Sequence, residues 1–373
     1  MLLENYHYGL TELGNGSEEL LSLLLCFVSA VIICLFSIPS IIKLAIEKRL
    51  ATPPCSRSAH QVDTPSFGGV AIFMAFLFNV LLWVDLNTLD EPFQYIIFAL
   101  AALFFIGMKD DLLVISPRKK FAAQFLAAAV VVVFGNIRID DLQGVFGLGA
   151  LPEWAAIGFS ITFFVFVINA YNLIDGIDGL AGGLGMITSL FLSIFFIQMH
   201  EMAYGVMTLA LAGALLGFLR FNFSPRKKIF MGDTGSMLVG FLLALFITKF
   251  LSFSPESFYS SFGFYNSPAV AVCLLIVPIF DTLRVFTVRL LNGKSPFFPD
   301  KNHIHHYLLS KQMSHAQASA VLYAANIFAI LISMAFLHDL NITILFVLFI
   351  GLLLVSSIFN YRGSSGGKQP IKA

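Results

Sequence analysis

The sequence predicts an all-α integral membrane protein of about eleven transmembrane helices, and three observations carry that prediction. Of its 373 residues, 58% are hydrophobic, with 41 Phe, and only 12% are charged, about half the share of an ordinary soluble domain. Apolar runs long enough to cross a hydrocarbon core of roughly 30 Å recur along the whole chain. Once those runs are counted, the basic residues sort to one side.

The runs lie near residues 20–46, 67–85, 93–108, 120–135, 154–171, 180–199, 203–221, 235–254, 267–291, 316–337 and 341–360. An odd count places the termini on opposite sides. With the N-terminus outside and the C-terminus cytoplasmic, only Arg138 and Lys249 of the 22 Lys and Arg face outward. All the others, from Lys43 to Lys372, fall in inner loops or at inner helix ends, as the positive-inside bias requires. One span more or fewer would switch the side of every later loop and scramble this split. The formal net charge of +0 therefore hides a strong asymmetry, directed at a bilayer and not at nucleic acid.

Residues 1–19 contain no Lys or Arg and end in Glu18-Glu19, so they lack the basic start of a signal peptide. They read as an extracytoplasmic segment ahead of a retained first span. Residues 20–360 form one polytopic membrane domain without an internal repeat, and 361–373 have the Gly/Ser/Lys composition of a disordered cytoplasmic tail. Cys26, Cys34 and Cys273 sit in apolar runs and Cys55 in an inner loop, so packing is expected of them and no disulfide.

Polar chemistry gathers at the inner ends of the runs. Lys109-Asp110-Asp111 closes one run, with Ser116, Lys120 and Gln124 just beyond. Paired carboxylates can bind a divalent cation or split their pKa values so that one acts as a base; a solvated helix end with an Asp cap is the plain alternative. Asn169, Asn172, Asp175 and Asp178 recur every three residues, which places them along one helical face. Gly176 and Gly179 among them let backbone approach a ligand closely. Polar groups in register beside lipid are costly and usually line a site.

Asn222 and the basic run Arg226-Lys227-Lys228 precede Gly232-Asp233-Thr234-Gly235-Ser236. That turn at a helix start offers amides and a carboxylate for a metal bridging phosphates, or simply an N-cap. Asp281 and Arg284, an i, i+3 pair, read as an intramembrane ion pair. Beyond them lie Lys301, His303, His305 and His306, suited to contacting phosphate or pyrophosphate; zinc would leave the aspartates unexplained. His60 belongs to a basic loop ending in Thr64-Pro65-Ser66-Phe67-Gly68-Gly69. The loop parity puts all five clusters on the cytoplasmic face. A secondary transporter would instead concentrate its charges near the midplane, in repeated broken helices, and a scaffold would need no such clustering.

Taken in order, TPSFGG, KDDLLVISP, NAYNLIDGIDGLAGG, FMGDTGS and KSPFFPDKNHIHH resemble the polyprenyl-phosphate N-acetylhexosamine-1-phosphate transferases of glycosyltransferase family 4. The resemblance spans about residues 50–306. The spaced histidines look like the WecA/TagO-type branch. The related MraY enzymes usually carry three contiguous histidines and differ around the Thr-Pro-x-x-Gly-Gly turn, where this chain has His60 and Ser66-Phe67.

The resemblance implies a cytoplasmic-membrane enzyme that transfers a sugar 1-phosphate from a UDP-N-acetylhexosamine to undecaprenyl or another polyprenyl phosphate, releasing UMP. UDP-GlcNAc is the expected donor. A UDP-FucNAc or UDP-QuiNAc type sugar, or the MraY donor UDP-MurNAc-pentapeptide, is the alternative. By similarity, Asp233 with Asn172 holds Mg²⁺, for which Mn²⁺ can substitute, and Asp110 deprotonates or positions the lipid phosphate with Asp111 in support. Asp175 and Asp178 orient the nucleoside and sugar phosphate. His60, Lys120, Asn222, Lys301, His303, His305 and His306 complete the substrate contacts. A two-step path through a phospho-aspartate and a homodimeric assembly are left open.

Overall fold

The computed structural model describes residues 16–50, 64–85, 92–257, 267–295 and 303–335. These form an all-helical bundle. Among them an antiparallel bridge joins Asp141 and Ala150. The helices are α1 (Gly16–Glu47), α2 (Gly68–Trp83), α3 (Phe93–Leu113), α4 (Pro117–Ala129), α5 (Glu153–Ile174), α6 (Leu180–Gln198), α7 (Met202–Asn222), α8 (Gly232–Leu251), α9 (Ser267–Leu274), α10 (Ile276–Leu291), α11 (Ile304–Ser310) and α12 (His315–Ala335).

Every expected apolar run that falls within the described residues coincides with a helix or a pair of helices, but eleven full-length spans are not established among those residues. Six helices among the described residues are long and apolar enough to cross a membrane, or seven if the bent pair α9–α10 counts as one. The reasons are local. The 16 residues of α2 rise only about 24 Å at 1.5 Å per residue. α4 opens on Pro-Arg-Lys-Lys and passes into a π-turn at Val130–Phe134. The run at 341–360, the N-terminal segment up to residue 15 and the tail 361–373 lie outside the described residues.

The bend between α9 and α10 is 74°, and Pro278 accounts for it. Proline has no N–H to give to the carbonyl four residues earlier. That carbonyl, Leu274 O, instead accepts the Thr188 hydroxyl from α6 at 2.9 Å. A buried backbone acceptor in lipid must be satisfied somehow, and α6 supplies the donor.

Helix α8 is the axis of the bundle, with 94% of its apolar stretch buried. It packs against α2, α3, α5, α6 and α9, while α1 and α7 lie behind α2. Close approach at its start depends on small residues, as is usual between membrane helices. A Cβ on Gly69 would overlap the backbone of Gly235, and one on Gly107 would lie 2.5 Å from Thr234 Cα. The first turn of α8 is thereby held within reach of α2 and α3.

Candidate active site

The opening of α8 is fixed by two distant segments. The Thr64–Gly69 segment is hydrogen-bonded through its backbone to residues 230–231: Phe230 N–H donates to Pro65 O, Gly68 N–H to Phe230 O and Gly69 N–H to Met231 O, each at 2.8 Å. The chain then turns at Gly232, whose φ of +72° suits glycine. A side chain there would overlap Ser66 O and come within 2.8 Å of the Asp111 carboxylate.

Asp111 caps this helix from another helix. Its Oδ1 accepts Asp233 N–H at 2.7 Å, and its Oδ2 accepts Thr234 N–H at 3.0 Å and the Thr234 hydroxyl at 2.6 Å. The first N–H groups of a helix lack intrahelical partners, and α8 has no side-chain cap of its own at Met231. A carboxylate at that position is also favoured by the helix dipole.

With its backbone so fixed, Asp233 projects into a cluster of charge. Lys120 Nζ lies 2.6 Å from Asp233 Oδ2 and 3.0 Å from Asp110 Oδ2. Asp110 Oδ1 accepts the Ile115 N–H at 2.6 Å, across the turn where Val114 takes a φ of +49°. The Asn172 amide donates to Asp233 Oδ1 and, at 2.9 Å, to the Ser236 hydroxyl. One turn deeper, Asn169 donates to Gln124 Oε1 at 2.7 Å. Lys120 and Gln124 on α4 thus face Asn172 and Asn169 on α5, each pair separated by one helical turn.

The α5–α6 turn adds two more carboxylates with opposite behaviour. Burial, and then the charges of Asp233, Asp111 and Asp178, push the partly buried Asp175 carboxyl up to about 8. Asp178 is buried too, but hydrogen bonds from His315 and Lys228 outweigh that and hold it below the usual carboxylate range. Its Oδ2 lies 2.6 Å from Lys228 Nζ and 3.0 Å from His315 Nδ1.

The histidine segment closes the other side. Asp281 Oδ2 meets His303 Nδ1 at 2.7 Å, and Oδ1 accepts Ile304 N–H at 2.8 Å and an Arg284 N–H at 3.3 Å. The expected Asp281–Arg284 ion pair is present, and it also anchors the start of α11. His305, 1% exposed, packs its ring on Gly176, where a Cβ would overlap Nε2. Burial, and then the neighbouring His306, lower its pKa to about 3, so it is a neutral imidazole.

The structure therefore brings Asp110, Asp111, Lys120, Asn172, Asp175, Asp178, Asp233, His303, His305 and His306 to one end of the bundle. His60 and Lys301 lie outside the described residues. Asn222 joins the same region as a brace: its Oδ1 accepts Gly179 N–H at 2.6 Å and its Nδ2 donates to Ile229 O at 2.8 Å. His315, Ser319 and Tyr323 contact the same turn and were not among the sequence candidates. Their spacing at i, i+4 and i+8 was the available signal.

Among the described residues no three His, Cys, Asp or Glu side chains converge into a preformed metal cage. The donors nevertheless suit a hard cation. Asp233 offers carboxylate oxygen, and Asn172, with its nitrogen turned to Asp233 and Ser236, retains its amide oxygen. Mg²⁺ typically takes one or two carboxylates and leaves its other positions to water and phosphate. Lys120 already places a positive charge between Asp110 and Asp233.

The sequence model described as glycosyl transferase family 4 matches residues 93–251, the stretch from α3 through α8. A decaprenyl-phosphate N-acetylglucosaminephosphotransferase of Mycolicibacterium smegmatis is 34% identical over 334 residues, covering 84% of this chain and 82% of that protein. A probable undecaprenyl-phosphate N-acetylglucosaminyl 1-phosphate transferase of Bacillus subtilis is 30% identical over 352 residues, 93% of this chain and 94% of its own length. An undecaprenyl-phosphate alpha-N-acetylglucosaminyl 1-phosphate transferase of Escherichia coli O157:H7 is 30% identical, over 74% of this chain and 73% of its own.

Proposed function

The chain belongs to glycosyl transferase family 4, and from that membership we propose that it transfers N-acetylglucosamine 1-phosphate from UDP-GlcNAc to a polyprenyl phosphate. The observation that carries this reading is the meeting of Asp110, Lys120, Asn172 and Asp233, from four helices, within one hydrogen-bonded cluster. It lies at the end of the bundle where a soluble nucleotide and a lipid phosphate can meet. We assign that end to the cytoplasmic side of the cytoplasmic membrane, consistent with the distribution of Lys and Arg, with eleven spans and an outside N-terminus.

In the reaction an oxygen of the lipid phosphate attacks the β-phosphorus of UDP-GlcNAc. The bond from that phosphorus to the bridging oxygen breaks, and UMP leaves as the polyprenyl diphosphate-linked sugar forms. Such transfers need alignment and charge neutralisation more than covalent chemistry. Lys120 screens the carboxylates from the incoming phosphates. Asp110, held by Ile115 N–H on one oxygen, keeps the other toward Lys120 and the acceptor, where it takes or orients the phosphate proton. Asp233 and Asn172 would hold Mg²⁺, which neutralises charge on the UDP pyrophosphate.

Asp111 serves by fixing the backbone of Asp233 and Thr234, and the neutral His305 by supporting the Gly176 turn. Asp175, Asp178, His303 and His306 line the donor side. UMP release from UDP-GlcNAc by purified protein, dependent on both Mg²⁺ and undecaprenyl phosphate and abolished by Asp233→Asn, tests the reading. Release independent of the lipid would overturn it.

A further inference from the structure

Three side chains on one stripe of α12 grip the turn between α5 and α6. His315 Nδ1 lies 3.0 Å from Asp178 Oδ2, the Ser319 hydroxyl donates to Asp178 O at 2.8 Å, and the Tyr323 hydroxyl donates to Gly179 O. The three are separated by four residues each, so they point from one helical face. The Tyr323 ring also packs directly on Gly183, where a Cβ would overlap its hydroxyl.

The gripped residues have few alternatives. Gly179 has a φ of +81° and opens α6 without a side-chain cap. Its N–H is taken by Asn222 on the opposite side, and Lys228 holds Asp178 from there as well. The turn is thus clamped between the 222–229 segment and α12, while His305 seats Gly176. Asp175, whose carboxyl faces the charges of Asp233 and Asp111, is suspended between these supports.

We propose that His315, Ser319 and Tyr323 are positioning residues that set the Asp175–Gly179 turn for the nucleotide-sugar donor, leaving the acceptor side untouched. This assignment rests on the transfer reaction proposed above. A polar stripe that served only to bind α12 to the bundle would affect stability and both substrates alike. A donor-positioning stripe separates them.

The test uses the full chain in detergent, with UDP-GlcNAc and undecaprenyl phosphate, comparing Tyr323→Phe, Ser319→Ala, His315→Ala and His315→Asn. The last keeps an amide donor for Asp178 Oδ2 and an acceptor for the Asp178 N–H near the position of Nδ1. Donor KM should rise about fivefold or more in the first three, as for a lost hydrogen bond to a charged or backbone partner. Acceptor KM should stay within about twofold, since uniform binding to that substrate is untouched. His315→Asn should recover most of the donor KM. Hydrogen exchange at the amides of residues 175–183 should rise about fivefold in Tyr323→Phe with α8 unchanged.

Donor and acceptor KM rising together with a falling melting temperature, or none of them moving, would overturn the proposal. If the wild-type protein turns over no UDP-sugar, the transfer reading fails by itself. The exchange experiment then decides the clasp: unchanged exchange at 175–183 overturns it.

Discussion

Asp111 and Thr234 are joined twice, the carboxylate Oδ2 accepting the threonine hydroxyl at 2.6 Å and its backbone N–H at 3.0 Å. Its neighbour Asp110 makes none of these contacts and turns to Lys120 instead. Two adjacent carboxylates therefore divide into one that builds the site and one that works in it. Asp111→Asn should lower stability by about 1–2 kcal/mol, as for a lost helix cap, which is a fall of roughly 2–8 °C in melting temperature. Asp110→Asn should leave the melting temperature unchanged and reduce kcat by about 10²–10⁴, the range for a positioned acid or base. Thermal unfolding of the purified variants beside their turnover checks both. An Asp111→Asn protein that is inactive at full stability would put Asp111 with Asp110.

Lys120 occupies the space between Asp110 and Asp233, and there it competes with any divalent cation for the same oxygens. Lys120→Met should reduce kcat by at least about 10² through lost phosphate neutralisation. The same variant should bind Mn²⁺ more tightly, because two close carboxylates lose their resident positive charge. Titration with Mn²⁺ followed by electron paramagnetic resonance reads the affinity. Weaker Mn²⁺ binding would mean that the lysine supports the metal site and does not share it.

Gly176 and His305 should show strong coupling. A methyl group on Gly176 would overlap the imidazole Nε2, and His305, 1% exposed, has little room to retreat. Gly176→Ala is expected to cost tenfold or more in kcat/KM, and His305→Ala a comparable amount. The double variant should lose less than the product of the two, because the cavity left by the ring accepts the methyl; interaction energies of about 0.5–3 kcal/mol are usual for touching residues. Simple multiplication of the two losses would show that the packing contact is without consequence.

The raised carboxyl of Asp175 makes metal-free stability depend on pH in an unusual direction. Its folded pKa of about 8 lies above the ordinary value of 3.8. Between those values the folded state holds a proton that the unfolded chain has lost, so stability falls as pH rises. The metal-free wild type should therefore melt lower at pH 8 than at pH 5.5. Asp175→Asn should reduce that difference by a few degrees. An identical pH dependence in wild type and variant would place the carboxyl in a more solvated setting.

Much of this site was legible because its chemistry falls in short polar motifs interrupting apolar runs. Asp110, Asn172, Asp178, Asp233 and His303 all stand out against lipid-facing sequence, and the loop parity put them on one face before any packing was known. Their division of labour was not legible. Asp110 and Asp111 look alike in sequence, and only the approach of Gly107 to Thr234 turns one of them toward the backbone of α8. Asn222 carries the same donor and acceptor as a ligand-binding amide, yet both are taken by backbone of segments 43 and 7 residues away. His315, Ser319 and Tyr323 sit 137 to 144 residues from their partners, so their spacing marks a shared helical face but not the turn that it meets. The bend at Leu275 was foreshadowed by Pro278, but a long apolar run over 267–291 concealed it.

Incubation of the purified protein with undecaprenyl phosphate, Mg²⁺ and a panel of UDP-sugars, followed by mass spectrometry of the lipid product, is the decisive test of the transfer reaction. The expected product is undecaprenyl diphosphate-linked N-acetylglucosamine from UDP-GlcNAc, formed together with an equal amount of UMP. No lipid product from UDP-GlcNAc, with product from another UDP-sugar in the same panel, would contradict it.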